Sequence, residues 1–123
     1  MKINILKNKE YYDSIRKASL CNCSYCHNYR LRVKSAFPKV AMYLESLGID
    51  IEKPFEISPL EPDEHEMLEY GCCQYIVFGS CESKYYHKID DVEVRIATSY
   101  PSTSIKEEHF VLELSVTKLK YVK

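Results

Sequence analysis

Hydrophobic positions between residues 35 and 49 recur with the spacing of a single helix face. The apolar residues at this spacing are Phe37, Val40, Ala41, Leu44 and Leu47. Ser35 is suited to the N-cap, and Pro38 falls in the first turn, where a missing N–H costs nothing. Gly48 is suited to end the helix in a left-handed conformation, with Ile49 packed behind it. The pattern predicts an amphipathic helix between Ser35 and Gly48.

The segment before this helix is less regular. Ile3 and Ile5 alternate with polar neighbours, which indicates a short opening strand. Asn8 is a favoured N-cap residue, and it predicts a helix over residues 9–18. The cysteine-rich segment that follows is predicted to be irregular.

Beyond residue 50, apolar and polar residues alternate as they do in β-strands. Phe55 and Ile57 lie between two prolines and predict a short edge strand. Residues 73–78 are apolar on both faces, as in a central strand. Residues 92–97 and 110–117 alternate regularly and predict two half-buried strands.

Two shorter features complete this pattern. The acidic segment 61–69 contains Pro62 near its start, which predicts a short helix closed by Gly71. Residues 80–84 read as a turn, so we expect residues 85–89 to pair back onto the central strand.

The order of these elements predicts an α+β fold. N-terminal helices would pack on one face of a four- to five-stranded, mainly antiparallel sheet, because consecutive strands with short connections pair antiparallel. Strands 92–97 and 110–117 would then be antiparallel neighbours. No repeat, linker or low-complexity tract interrupts the chain, so we expect a single α+β domain over residues 1–123.

Composition narrows the class of protein. The chain has 46% hydrophobic and 28% charged residues, which is typical of a globular domain. Its net charge of −1 and the lack of a long basic run lead us to expect no nucleic-acid partner. The N-terminus lacks the apolar core of a signal peptide, and no stretch reaches the roughly 20 apolar residues of a membrane span. We therefore expect a soluble, cytoplasmic protein with no membrane partner.

The strongest chemical feature is a cluster of three cysteines, Cys21, Cys23 and Cys26. A Cys-x2-Cys pair can place two sulfurs on one tetrahedral metal ion, and a third nearby thiol strengthens that interpretation. In a reducing compartment, six cysteines are not expected to form three structural disulfides. Zinc is the expected ion for such ligands, and Cys73 is the predicted fourth ligand, ranked above His27, which adjoins Cys26.

Two other interpretations of the cysteines stay open. They could be ordinary buried or partly exposed thiols, or one of them could be a redox or catalytic thiol. An iron–sulfur cluster is disfavoured because the first spacing, Cys21 to Cys23, is too short for the ferredoxin pattern.

A second candidate site follows the cluster. Tyr29, Arg30 and Arg32 interleave aromatic and basic side chains, as in a small nucleic-acid- or phosphate-binding patch. An arginine-rich helix surface without a ligand is the competing interpretation.

The sequence thus predicts a small binding or interaction module with a structural zinc site. We expect its partner to be a protein of unspecified kind. A small thiol-dependent enzyme or redox protein is the alternative, and a non-catalytic protein is the expectation we prefer.

Overall fold

The computed structural model describes residues 1–61, 64–115 and 117–121. These residues form three α-helices: α1 (Ile5–Ser14), α2 (Ser24–Ala36) and α3 (Pro38–Ser46), with a 3-10 turn at Lys17–Ser19 between the first two. They also form seven strands: β1 (Lys2–Ile3), β2 (Glu56–Pro59), β3 (Met67–Ser80), β4 (Tyr86–Ile89), β5 (Val92–Ile96), β6 (His109–Ser115) and β7 (Thr117–Lys120).

The sheet is organised around the long strand β3. Its order is β1-β3-β6-β5-β4, with β2 and β7 also paired to β3, and every pairing is antiparallel. The predicted fold class, helices followed by a mainly antiparallel sheet, is confirmed. The described residues form more strands than expected because β3 is long enough to carry short partners along both of its edges.

The predicted pairing of the two half-buried strands is confirmed. Val94 of β5 lies opposite Leu114 of β6, and Ile96 lies opposite Leu112. Their inward side chains join the helices in one hydrophobic cluster, whose largest fully buried members include Tyr29, Tyr75, Leu44, Leu112 and Leu114. The predicted strand 110–117 is described as β6 and β7, with residue 116 outside the described residues.

The amphipathic helix predicted from the periodic stripe is α3. Pro38 is its first residue, and Gly48 follows it with a φ of 83°. The N–H of Gly48 donates to the carbonyl of Glu45, and the N–H of Ile49 donates to the carbonyl of Leu44. This pair of bonds is the Schellman termination that a glycine after the last turn favours. Phe37, rather than Ser35, is the N-cap, because Ser35 still belongs to α2.

The first helix begins earlier than predicted. Asn4, not Asn8, is the N-cap of α1, and its Oδ1 accepts a hydrogen bond from the N–H of Lys7. Asn8 is fully buried instead: its Nδ2 donates to the carbonyl of Leu47, and its Oδ1 accepts from the N–H of Phe78. A buried amide that satisfies two backbone groups of other elements has a tertiary role, which a local capping rule does not detect.

Two further predictions are corrected by the sheet. Residues 64–66 form a turn and residues 67–69 begin β3, so Gly71 lies inside a strand and does not close a helix; Pro62 lies outside the described residues. Strand β4 pairs with β5 and not with β3. Strand β6 lies between β3 and β5 and pairs with both. The long loop after β5 allows β6 to reach this position.

Within the part of the chain that the structure describes, no helix has the length and apolar character needed to cross a membrane.

Candidate metal centre

The three clustered cysteines lie where the chain enters α2. Cys23 is the N-cap of the helix in an extended conformation, and its carbonyl accepts the first helical hydrogen bond from the N–H of His27. Cys26 is in the first turn, so this part of the cluster is helical rather than irregular as predicted. Cys21 lies two residues before the cap.

The sulfur atoms of these residues converge. Among the described residues, Cys21, Cys23 and Cys26 form one group whose Sγ atoms all lie within 4.8 Å of one another. Cys21 and Cys23 are exposed, whereas Cys26 is buried, with 8% of its surface accessible. All six cysteines belong to the described ranges, and each of them is a free thiol. The group is close enough to hold a metal ion.

Arg30 fixes the loop that carries Cys21. Residues four apart on a helix share a face, so Arg30 lies above Cys26 on α2. Its guanidinium donates one hydrogen bond to the carbonyl of Cys21 and another to Asn22 Oδ1, the second at 3.2 Å. Cys21 is thereby held against the same helix face that carries Cys26.

The sheet holds the first turn of α2 from the other side. Tyr70 of β3 donates from its hydroxyl to the carbonyl of Tyr25 at 2.7 Å. Asn28 donates to the carbonyl of Lys120 at 3.0 Å, and the ring of Tyr121 packs edge-on against Tyr25 with 5.2 Å between centroids. The start of α2 is therefore fixed by contacts with β3 and the β7 end.

The pKa values of the two cysteines in the Cys-x2-Cys pair are shifted in opposite directions. The backbone N–H of Cys26, in the first turn of α2, is the main cause of a lowered pKa at Cys23, and hydrogen bonds from the thiols of Cys26 and Cys21 contribute further. Burial is the main cause of the raised pKa of Cys26, about 12, and the adjacent Cys23 and Cys21 raise it further. A cation between the sulfurs would favour the thiolate form of all three.

Cys73, the predicted fourth ligand, is not part of this sulfur group in the described residues. It is fully buried in β3, and its side chain contacts the hydroxyl of Tyr29. Burial raises the pKa of its thiol, which favours the neutral form. Its neighbour Cys72 points to the opposite face of the sheet and donates to Glu113 Oε1 at 3.2 Å. The structure thus brings together three of the four predicted ligands.

The predicted binding patch is divided between the core and the surface. Tyr29 has no accessible surface, and its hydroxyl lies 2.6 Å from that of Tyr75, so its predicted surface role is corrected to a core role. Arg32 is half-buried and its Nε donates to Asn28 Oδ1 at 2.9 Å. Arg30 and Arg32 are accessible in part, and binding by them stays a prediction.

A cleft of about 510 Å³ adjoins the cysteine loop. Its walls include Asn22, His27, Arg30 and Leu31, and Leu31 exposes 64% of its surface. Asn22 lies between two of the clustered cysteines in the sequence, so the cleft and the sulfur group share one segment.

Sequence reasoning missed the residues that position the cluster. Arg30 was singled out as a ligand-binding residue, yet its described contacts are with the cysteine loop. Tyr70 gave no local signal at all, because the hydrogen bond to Tyr25 joins residues 45 positions apart. The spacing of four between Cys26 and Arg30 was the only available sign of their common face.

Comparison of the chain with protein-family models, with curated proteins and with solved structures gives no match.

Proposed function

We propose that this protein is a small interaction module whose N-terminal helical part is held by a zinc ion bound to Cys21, Cys23 and Cys26. The observation that supports the proposal most directly is the convergence of the three sulfurs within 4.8 Å. A Zn–S bond of about 2.3 Å places sulfurs roughly 3.8 Å apart on a tetrahedral ion. The thiols therefore need to close in by no more than about 1 Å to bind it.

Charge supports the same assignment. Three thiolates and one divalent ion carry a net charge of −1, and the start of α2 together with the Arg30 guanidinium supplies compensating positive charge. Thiolates are soft ligands, for which zinc is the usual divalent partner in a reducing cell.

The proposed role of the ion is structural. Residues 21–24 are exposed and so bury little apolar surface of their own. A metal ion would tie this loop to the first turn of α2, and its binding free energy would add to the stability of the folded state. The fourth coordination position would be filled by water or by a donor group of the partner.

A protein partner would have an accessible surface beside this site. The cleft next to Asn22 combines the apolar side chain of Leu31 with the polar groups of His27 and Arg30. Interfaces commonly combine an apolar centre with a polar rim. A partner bound there would touch the segment that the metal ion holds.

Native mass spectrometry of protein purified without chelator tests the metal site. We expect one bound zinc ion per chain, lost in Cys21→Ser and in Cys26→Ser. Cys81→Ser is the matched control, since Cys81 is half-exposed and lies outside the sulfur group. Removal of the ion by a chelator should lower the melting temperature of the wild type. Metal-free protein of unchanged stability would contradict the proposal.

The same sample separates this function from the thiol-enzyme alternative. A bound ion slows the alkylation of all three clustered thiols, whereas a catalytic thiol leaves one reactive thiolate exposed. We expect slow alkylation before chelation and fast alkylation after it. Rapid modification of Cys23 alone, in protein that carries no metal, would favour the enzyme.

A further inference from the structure

The sulfur group contains a pair of cysteines in which one faces solvent and the other faces the interior. Cys23 is the exposed N-cap of α2, and Cys26 is buried three residues later in its first turn. The Sγ atoms of this pair lie within 4.8 Å of each other, and a disulfide needs an S–S bond of about 2.0 Å and Cβ atoms about 3.5–4.5 Å apart. A small adjustment of the cap residue would therefore join this pair without unwinding the helix.

Cys21 is held in a different way. It precedes the helix, and its carbonyl is bound by the guanidinium of Arg30, which holds the loop by its backbone. Cys23 instead adjoins the backbone N–H groups that have no helical partner at the start of α2. Cys23 and Cys26 belong to the cap and the first turn of one helix, so Cys23 is the better placed of the two exposed cysteines to react with an electrophile and then with Cys26.

We propose that Cys23 and Cys26 form a reversible oxidation site for hydroperoxides, and that their disulfide releases the metal ion. This inference rests on the proposed function, because the released ion is the one bound by the three clustered cysteines. The oxidant is hydrogen peroxide or an organic hydroperoxide, and the reductant that restores the site is a dithiol.

The chemistry balances in two steps. The Cys23 sulfur attacks one oxygen of hydrogen peroxide, the O–O bond breaks, and the departing hydroxide takes a proton from solvent to become water. Cys23 is then a sulfenic acid. The Cys26 sulfur attacks the Cys23 sulfur, the S–O bond breaks, and a second hydroxide takes a proton and leaves as water. Two thiolates, one peroxide and two protons thus give one disulfide and two waters.

The disulfide removes two of the three sulfur ligands. Cys21 alone does not hold a divalent ion, so oxidation converts the metal-bound loop into one anchored by Arg30 and by the new covalent bond. Reduction by a dithiol regenerates both thiols and allows the ion to return.

The test treats zinc-loaded protein with hydrogen peroxide and follows metal release with a chromogenic chelator. Peptide mapping is run on the same sample, using cleavage after Tyr25, which separates Cys26 from Cys21 and Cys23. We expect loss of the ion, a disulfide that links the two fragments, and full reversal by a dithiol with added zinc. Cys21→Ser should keep the link, Cys23→Ser should lose it, and Cys81→Ser should match the wild type. In Cys26→Ser, a sulfenic acid at Cys23 should be trapped by dimedone.

Several results would overturn the inference. They are a link that survives in Cys23→Ser, oxygen addition to the cysteines without a link, or retention of zinc by the disulfide form. Native mass spectrometry of the untreated protein separates failure of the oxidation proposal from failure of the proposed function. Absence of zinc there refutes the metal site, while the peptide map still decides whether Cys23 and Cys26 are the oxidised pair.

Discussion

The guanidinium of Arg30 donates a hydrogen bond to the backbone carbonyl of Cys21, nine residues earlier in the chain. Arg30 lies one helical turn beyond Cys26, so a single face of α2 carries both a candidate ligand and the group that holds a second ligand in place. The second hydrogen bond of Arg30, to Asn22, fixes the residue between Cys21 and Cys23. The sulfur group is therefore preorganised by α2 rather than by the cysteines alone.

Replacement of Arg30 by Gln should weaken zinc binding without unfolding the protein. Hydrogen bonds from a charged group contribute about 1.5–3 kcal/mol when buried, and partial exposure reduces this to about 1 kcal/mol, or roughly fivefold in affinity. Competition with a chelating dye measures the change. Arg32→Gln is the control, since Arg32 binds Asn28 and not the cysteine loop, and it should leave the affinity unchanged. Equal affinities for all three proteins would show that the Arg30 contact does not position Cys21.

The parts of the site that the sequence predicted are those that depend on short spacing. Cys21, Cys23 and Cys26 converge because a cap residue and its first helical turn bring neighbours in sequence together. Cys73 was assigned by elimination among distant residues, and nothing local in the sequence shows that its side chain faces Tyr29 instead. Whether a residue far away in the sequence can serve as a ligand depends on how the helices pack on the sheet. The periodicity of the sequence does not determine that packing.

The same distinction holds for the fold. The stripe of α3 and the alternation of β5 and β6 are strong local signals, and all three elements are present, with Phe37 in place of Ser35 as the N-cap of α3. The position of Asn8 shows where local rules fail. A capping residue and a buried amide look alike in sequence, and only tertiary contacts with Leu47 and Phe78 select the second role.

Cys73→Ser should retain zinc, because the Cys73 sulfur lies outside the group that the other three form in the described residues. The substitution places a hydroxyl in the core beside Tyr29, where partial hydrogen bonding limits the loss of stability to about 1–2 kcal/mol. Native mass spectrometry reports the metal, and urea unfolding reports stability. Cys72→Ser on the opposite face is the control. Loss of zinc in Cys73→Ser alone would restore Cys73 as the fourth ligand.

Asn8→Ala should strongly destabilise the fold. The side chain bridges the N–H of Phe78 and the carbonyl of Leu47, each at 2.7 Å, and its removal leaves two buried backbone groups without their partner. Such groups cost about 1–3 kcal/mol each, so we expect a loss of about 3 kcal/mol in the free energy of unfolding. Asn4→Ala, on the same helix, removes only the N-cap and should cost about 1 kcal/mol. Equal losses in urea unfolding would contradict the bridging role of Asn8.

Glu113 should make stability depend on pH in the acid range. Burial of the Glu113 carboxylate raises its pKa. Hydrogen bonds from Gln74 (3.0 Å), Cys72 (3.2 Å) and Arg95 (3.2 Å), together with the positive charge of Arg95, lower the pKa by more than burial raises it, so the net shift is downward. The folded state then binds fewer protons than the unfolded state, in which the pKa is about 4.3. The stabilisation is present above that pH and is lost as the pH falls through the lowered folded-state pKa.

Urea unfolding from about pH 7 to about pH 3 measures this dependence, because the loss of stability is expected at pH values below the unfolded-state pKa of about 4.3. In Glu113→Gln the acid-side loss of stability should be smaller than in the wild type, and stability at neutral pH should fall by roughly 1 kcal/mol. Glu93→Gln is the control, because Glu93 meets the same Arg95 at a longer distance of 4.0 Å. Its acid profile should follow the wild type. A Glu113→Gln profile parallel to that of the wild type would show that the hydrogen bonds to Glu113 do not couple its protonation to folding.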